Sequence, residues 1–137
     1  MENINIEDFD LKAIIAEYME KGFLDNIIDM FKHDKNLYIY IGDLIIDERL
    51  RVRIGTSALI EALKIEDPEN VREAVLYILP LLKNKTPMHR ADAAYLLGVI
   101  GDKNAIPFLE EITKDEDANV RLVAKEAIEE IILNPKA

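Results

Sequence analysis

The chain contains no cysteine and no tryptophan, and only 7% of its residues are aromatic. The absence of cysteine excludes disulfides, thiolate metal sites and a cysteine nucleophile. Ser57 is the single serine and lies in an amphipathic helical pattern, so no serine triad is indicated. The five glycines form no phosphate-binding loop. These absences do not exclude catalysis, but no residue pattern in the chain indicates it.

Imidazole and paired carboxylates are the remaining candidates for chemistry. His33 and His89 are the only histidines, and neither stands at a metal-ligand spacing from another suitable side chain. Adjacent acids such as Glu110 and Glu111 point about 100° apart on a helix, which favours solvated faces over acid–base catalysis. We therefore expect no catalytic residue, no metal and no cofactor.

The charges are unevenly distributed along the chain. The formal net charge of −10 resolves into −8 over residues 1–48, +3 over 49–90 and −5 over 91–137. The central segment carries a basic belt, which we define as Arg49, Arg51, Arg53, Lys83, Lys85 and Arg90. This belt is either an anion-binding site or a set of arginines already paired within the fold. We favour the second interpretation and expect nucleic acid not to be the partner, since its binding depends on free basic surface.

Apolar residues recur at helical spacing over nearly the whole chain, which predicts eight short helices in a single domain, 1–137. The eight stripes begin at Leu11, Leu24, Leu37, Val52, Val71, Ala93, Ile106 and Val120. The run 37–41 would suit a strand in isolation, but no partner strand is predicted for its backbone hydrogen bonds. The most apolar stretch, 37–46, is too short to cross a membrane, and the acidic N-terminus predicts a cytoplasmic protein.

One pattern recurs at the helix starts: a polar residue, four residues, an apolar or similar residue and then arginine. The four polar–arginine pairs are Asp47 and Arg53, Glu66 and Arg72, Asn84 and Arg90, and Asp115 and Arg121. We interpret the acid as a helix-capping residue and the arginine as its partner in the same or the adjacent repeat. Such pairs would form a structural ladder that fixes the stacking of repeats.

Residues 86–132 resemble HEAT repeats of the short type that is named after phycobilisome lyases. The residues that carry this resemblance are the segment 89–98, the Ile100-Gly101-Asp102 turn, the segment 105–109 and the segment 115–121. The resemblance implies an all-α, right-handed α-solenoid of about eight helices in four stacked hairpins, whose second helices form a concave face. It is fair over 47–85 and faint before that. Residues 1–47 are therefore expected to be a divergent N-terminal cap and repeat, and residues 48–137 the clearer repeats.

HEAT proteins mostly bind other proteins, so the resemblance implies a non-enzymatic scaffold or adaptor. We place the partner surface on the fifth and seventh helices, at Glu73, Tyr77, Glu110, Glu111 and Lys114. Tyr77 is the candidate anchor, with packing against the neighbouring hairpin as an equally weighted alternative. An acidic face of this kind would favour a basic partner.

Three further interpretations stay open. The first is an accessory subunit or enzyme related to bilin lyases, an analogy at the level of the fold. The second is nucleic-acid binding through the basic belt. The third is a homodimer through a terminal repeat, because each end of a stack presents an apolar side. The residues proposed for it are Phe9, Leu11, Ile15 and Tyr18 at one end, and Ile128, Ile131, Ile132 and Leu133 at the other.

Overall fold

The computed structural model describes residues 4–134, with their side chains from Leu11 onward, and is helical without any strand over that range. The α-helices are α1 (Ile4–Glu20), α2 (Leu24–His33), α3 (Ile41–Ile45), α4 (Leu50–Glu66), α5 (Val75–Ile78), α6 (Pro87–Ile100), α7 (Ile106–Ile112) and α8 (Ala118–Leu133). Four 3₁₀ segments extend the shorter ones: Lys35–Tyr40, Asn70–Ala74, Leu79–Lys83 and Lys103–Ala105. Every predicted apolar stripe falls on one of these helical segments.

The end of α1 shows how a glycine terminates a helix in this chain. Gly22 has a φ of +86°, in the left-handed region, where a residue without a Cβ is favoured. Its amide donates to the carbonyl of Met19, and the amide of Phe23 donates to that of Tyr18. The rings of Tyr18 and Phe23 meet edge to face at 5.7 Å, which completes a Schellman end with its hydrophobic contact.

Two of the predicted helices, the third and the fifth, contain 3₁₀ segments. The fifth predicted helix consists of the 3₁₀ segment Asn70–Ala74, the single turn α5 and the 3₁₀ segment Leu79–Lys83. The missing amide of Pro80, and the clash of its ring with the carbonyl of Leu76, account for the end of α5. The run 37–41, which resembles a strand in isolation, is 3₁₀ and then α-helical, as the lack of a partner strand predicted.

The helices form two layers. The long-helix layer consists of α1, α4, α6 and α8, each packed against the next. The short-helix layer begins with α2 and continues through the segments 35–45, 70–83 and 103–112. In the last three hairpins a short segment precedes a long helix, whereas in the first hairpin the long helix comes first. The first hairpin thus differs from the other three in the order of its helices.

The core runs continuously through both layers from Ile15 to Ile131. Its largest fully buried side chains include Phe31, Tyr38, Ile41, Leu59, Leu63, Ile78, Leu96 and Leu97. Ile15 and Ile131, which we placed on self-association surfaces, are 0% exposed, so this part of the prediction is wrong. Phe9, from the same set, lies outside the described side chains.

Glycines mark two close crossings in the long-helix layer. A Cβ on Gly98 of α6 would lie 2.9 Å from Cα of Ala127 on α8. A Cβ on Gly55 of α4 would instead collide with the side chain of Met19 on α1. The obstacle is backbone in the first case and a flexible side chain in the second, so the two positions differ in their tolerance of substitution.

We predict that Gly98→Ala lowers the free energy of unfolding by about 1–3 kcal/mol, because α6 and α8 must separate. Gly55→Ala is the matched control. It should be near neutral, since Met19 rearranges and alanine gains about 1 kcal/mol of helix propensity. Urea unfolding of both variants measures the difference. Equal destabilisation of the two would contradict the assignment of the α6–α8 crossing as a backbone contact.

Candidate partner-binding groove

The turns that connect the helices are built on side-chain oxygens. Oδ1 of Asp47, Asn84 and Asp115 each accepts the amide hydrogen two residues further along the chain, at distances of 2.8–2.9 Å. Asp34 and Asp102 make the same contact in their own turns. An aspartate or asparagine that binds the backbone in this way favours a turn over continued helix. In three of its four copies, the polar residue of the repeated pattern therefore sets the start of the second helix of a hairpin.

Three of the four arginines of the pattern bind the backbone carbonyl six residues earlier. Arg53 donates to the oxygen of Asp47 at 2.6 Å, Arg90 to that of Asn84 at 2.7 Å and Arg121 to that of Asp115 at 2.7 Å. Arg53 and Arg121 also reach the next carbonyl. Within a repeat, the partner of the arginine is thus the main chain of the turn and not its carboxylate.

Arg90 makes the contact between repeats that the ladder requires. Its Nε and a terminal nitrogen donate to the two carboxylate oxygens of Asp115 at 2.8 and 3.0 Å. The two side chains are only 9% and 10% exposed, so this bidentate pair is largely shielded from water. The hydrogen bonds from Arg90 lower the pKa of Asp115 below its ordinary value, against the opposing effect of burial.

The other predicted pairs do not form such a rung. Glu66 binds Lys32 at 2.9 Å, and Arg72 makes no hydrogen bond or ion pair within residues 4–134. Asn84 occupies the position relative to Arg53 that Asp115 occupies relative to Arg90. Its side chain carries no charge, and its oxygen accepts the amide hydrogen of Thr86. The ladder prediction is therefore wrong for Glu66 and Arg72, which lack the contact it requires. It is also wrong for Arg53 and Arg121, which bind main-chain carbonyls and no carboxylate of a described residue.

Three of the six residues of the basic belt form hydrogen bonds or ion pairs within the protein. Arg49 binds both carboxylate oxygens of Asp47, which lowers the pKa of that acid, and Arg53 and Arg90 bind as described above. Arg51, Lys83 and Lys85 form no hydrogen bond or ion pair with any described residue. The belt is accordingly not a continuous surface of free cations.

A groove lies across the exposed side of the long-helix layer. It encloses about 560 Å³ over α6, with α4 and α8 as its walls. Its lining residues are Glu61, Lys64 and Ile65 from α4, Tyr95, Gly98 and Val99 from α6, and Val123, Glu126, Ala127, Glu130 and Asn134 from α8. The close crossing of Gly98 and Ala127 leaves no side-chain ridge in the floor. We call this surface the α4–α6–α8 groove.

Two polar contacts organise the α4 wall. The phenol of Tyr95 donates a hydrogen bond to Glu61, which raises the pKa of Tyr95 above its ordinary value. Lys64 donates to the carbonyl of Ile100 at 2.6 Å, at the C-terminus of α6. Burial lowers the pKa of Lys64, and nearby Arg72 lowers it further. Both long side chains are therefore held in defined positions.

The α8 wall carries a negative edge. Glu126 and Glu130 are one helical turn apart, so their like charges repel each other. The side chain of Asn134 donates to Glu130 at 2.8 Å, whereas Glu126 has no hydrogen bond or ion pair to any residue of the described chain. The groove therefore contains three carboxylates and a single ammonium group.

The groove is not where we predicted the partner surface. Tyr77 is half-buried against the core, and its backbone carbonyl would be 2.9 Å from a Cβ on Gly42. The other predicted partner-binding residues are exposed on the short-helix layer: Glu73, Glu110, Glu111 and Lys114. None of the five residues lines the groove. Tyr77 therefore packs against the neighbouring hairpin, as one of our two interpretations expected, and is not an exposed anchor.

Sequence reasoning missed the groove residues although a signal was present. The resemblance placed the concave face on the second helix of each hairpin, and α4, α6 and α8 are those helices. Their outward residues recur one turn apart, as in Glu61 and Ile65 or Tyr95 and Val99. The predicted partner-binding residues instead belong to the first helices of their hairpins, which do not line the groove.

The two histidines lie away from the groove. Nδ1 of His33 is 2.8 Å from the carbonyl of Asp29, and Nδ1 of His89 is buried without a partner in the described part of the chain. Among the described residues, no three His, Asp or Glu side chains come together as a metal site. No helix within that range is long and apolar enough to cross a membrane.

The fold is an all-α solenoid of HEAT-like hairpins. The HEAT repeats family matches residues 70–129, which form the third hairpin and most of the fourth. This similarity covers less than half of the chain and includes two of the three helices that line the groove. No curated protein matches the chain.

The Arg90–Asp115 pair predicts a pH-dependent stability. Because the folded state lowers the pKa of Asp115, the ionised carboxylate stabilises the fold above its ordinary pKa of 3.8. That contribution is lost as the pH falls through the lower pKa of the folded state. Asp115→Asn should therefore reduce the thermal midpoint at neutral pH, and the difference from the natural protein should shrink in acid.

Asparagine retains the turn at this position, as Asn84 does in the preceding repeat, so the substitution tests the ion pair alone. Glu116→Gln removes a neighbouring exposed charge and is the matched control, with no change expected in the neutral midpoint. Thermal unfolding followed by circular dichroism between pH 2.5 and 7 is the measurement. A difference between the natural protein and Asp115→Asn that persists unchanged to the acidic limit would contradict this assignment.

Proposed function

We propose that this protein is a non-enzymatic scaffold or adaptor that binds another protein through the α4–α6–α8 groove. HEAT repeats generally mediate protein–protein interaction, and the match over residues 70–129 supports that role here. The observation that carries the proposal is a groove whose walls and floor come from three successive hairpins. A solenoid gains such a surface by stacking repeats, since no single hairpin can form it.

The lining of the groove supports binding by apolar as well as polar contacts. Ile65 is 82% exposed and Tyr95 46% exposed, although both are large side chains that proteins commonly bury. Val99 and Val123 are half-buried beside them. Aromatic and aliphatic side chains surrounded by charged residues are typical of interaction surfaces, where the aromatic side chain often contributes most to affinity.

We further propose that the hairpins belong to the short type named after phycobilisome lyases. The turn arginine bound to the carbonyl six residues earlier supports this proposal, because it recurs with the same geometry at Arg53, Arg90 and Arg121. Gly98 at a helix crossing and Gly101 at the end of α6 occupy the glycine positions of the resemblance. The subtype concerns the repeat and carries no activity with it.

The groove predicts a specific effect of one substitution on partner retention. Ile65→Asp should reduce the amount of retained protein at least about tenfold, because it places a charge where an apolar contact forms. Leu76→Asp is the matched control, since Leu76 is 68% exposed on the short-helix layer. Affinity capture from native lysate, quantified by mass spectrometry against both variants, provides the measurement.

The same capture experiment decides between the two layers. Tyr77→Ala and Glu111→Lys test the surface predicted on the fifth and seventh helices. Partners that are lost with these two variants and with Leu76→Asp, but kept with Ile65→Asp, would move the binding surface to the short-helix layer. If no protein is retained by the natural chain and lost with Ile65→Asp, the groove is refuted as a protein-binding site.

We also propose self-association through the C-terminal repeat. Ile132 and Leu133 at the end of α8 are 58% and 74% exposed, and neither residue lines the groove. A double Ile132→Ser, Leu133→Ser variant should be monomeric where the natural protein forms a dimer at micromolar concentration. Sedimentation equilibrium is the measurement, and a natural protein that stays monomeric throughout that range would dispose of the proposal.

A further inference from the structure

We propose that the α4–α6–α8 groove binds an extended basic segment of a partner protein, in which lysine or arginine side chains alternate with aliphatic ones. This inference rests on the proposed scaffold function and specifies the chemistry of its partner. The groove combines an acidic edge, an aromatic ring held in place and an apolar floor. The acidic edge and the ring favour the cationic side chains of such a segment, and the apolar residues favour its aliphatic ones.

The charge of the groove favours a cationic occupant. Glu61, Glu126 and Glu130 oppose only Lys64, whose ammonium group is bound to the carbonyl of Ile100. Glu126 has no ionic or hydrogen-bonding partner among residues 4–134 and lies one turn from Glu130. A lysine or arginine between these carboxylates would relieve their repulsion and add an ion pair. The net charge of −10 would attract the same partner at long range.

The aromatic ring adds a second reason to expect a cation. Tyr95 is fixed by its hydrogen bond to Glu61, so its ring does not have to be ordered when a ligand binds. An ammonium or guanidinium group that binds Glu61 and also lies over the face of this ring would gain a cation–π contact. Both contacts involve the same cationic side chain. This combination distinguishes the groove from an acidic patch on a helix surface.

The apolar residues require more than a cation. Ile65, Val99 and Val123 line the groove among these charged and aromatic side chains. A free polyamine would leave these side chains in water, whereas an aliphatic residue of a peptide would cover them. Neighbouring helices stack about 8–10 Å apart, so the α4–α8 width of roughly 16–20 Å matches about six extended residues. A short peptide segment therefore fits the chemistry and the width of the groove.

Fluorescence anisotropy with a defined probe tests the inference. The probe is a fluorescein-labelled octapeptide of alternating lysine and leucine, and its counterpart of alternating glutamate and leucine is the peptide control. We expect the first peptide to bind the full natural chain and the second not to bind. Glu126→Lys should raise the dissociation constant about tenfold, because it replaces an attraction by a repulsion. Ile65→Ser should weaken binding by a smaller factor, through loss of apolar contact.

Glu111→Lys is the matched control variant, since it makes the same charge change at an exposed position of the short-helix layer. Equal weakening by Glu111→Lys and Glu126→Lys would show general charge attraction and overturn the inference. Spermine that binds as tightly as the peptide, with no effect of Ile65→Ser, would show that a cation alone suffices and would also overturn it. A dimer of the natural chain that Glu126→Lys disperses would assign the groove to a second copy.

The two proposals fail in different ways. If Ile65→Asp abolishes retention of a protein from lysate but the basic peptide does not bind, the scaffold function stands and the basic segment is wrong. If the peptide binds with the expected effects of Glu126→Lys and Ile65→Ser, the inference is supported whether or not the lysate contains the partner.

Discussion

The close approach of α6 and α8 is the constraint on which the other features of the long-helix layer depend. Gly98 has no side chain, so Cα of Ala127 can lie 2.9 Å from the position that a Cβ would occupy. This contact brings the third and fourth hairpins together closely enough for Arg90 to reach Asp115 with both of its hydrogen bonds. The same contact leaves the floor of the groove at Gly98 without a side-chain ridge. Stacking of the repeats and formation of the groove therefore have one physical origin.

The turn arginine contributes to stability at a second level. In three hairpins it satisfies carbonyls of the turn that would otherwise lack a partner in the helix ladder. Only Arg90 adds a bond to the next repeat, because only Asp115 offers a carboxylate in the right place. The common role of the arginine is thus local, and the contact between repeats is an addition that needs a suitable residue in the following turn.

The helical segments could be predicted because apolar spacing, proline and glycine act locally. The residue three positions after each turn arginine shows this consistency: Thr56, Ala93 and Ala124 are all 0% exposed. Thr56 remains buried because its hydroxyl donates to the carbonyl of Val52 one turn earlier. The reversed order of the first hairpin could not be predicted, since it depends on which neighbour α1 packs against. Spacing within α1 does not contain that information.

The groove was harder to predict than the helices because exposure does not identify a layer. Glu111 and Glu126 are both exposed glutamates on amphipathic helices, and nothing in their immediate sequence separates them. What separates them is the neighbour across the layer: Glu126 faces a groove that also contains Tyr95 and Glu61, which lie 31 and 65 residues earlier in the sequence. A repeat protein collects one or two residues from each hairpin into a single surface. Its binding chemistry is therefore a property of the stack, and the contribution of each residue depends on how closely the hairpins pack.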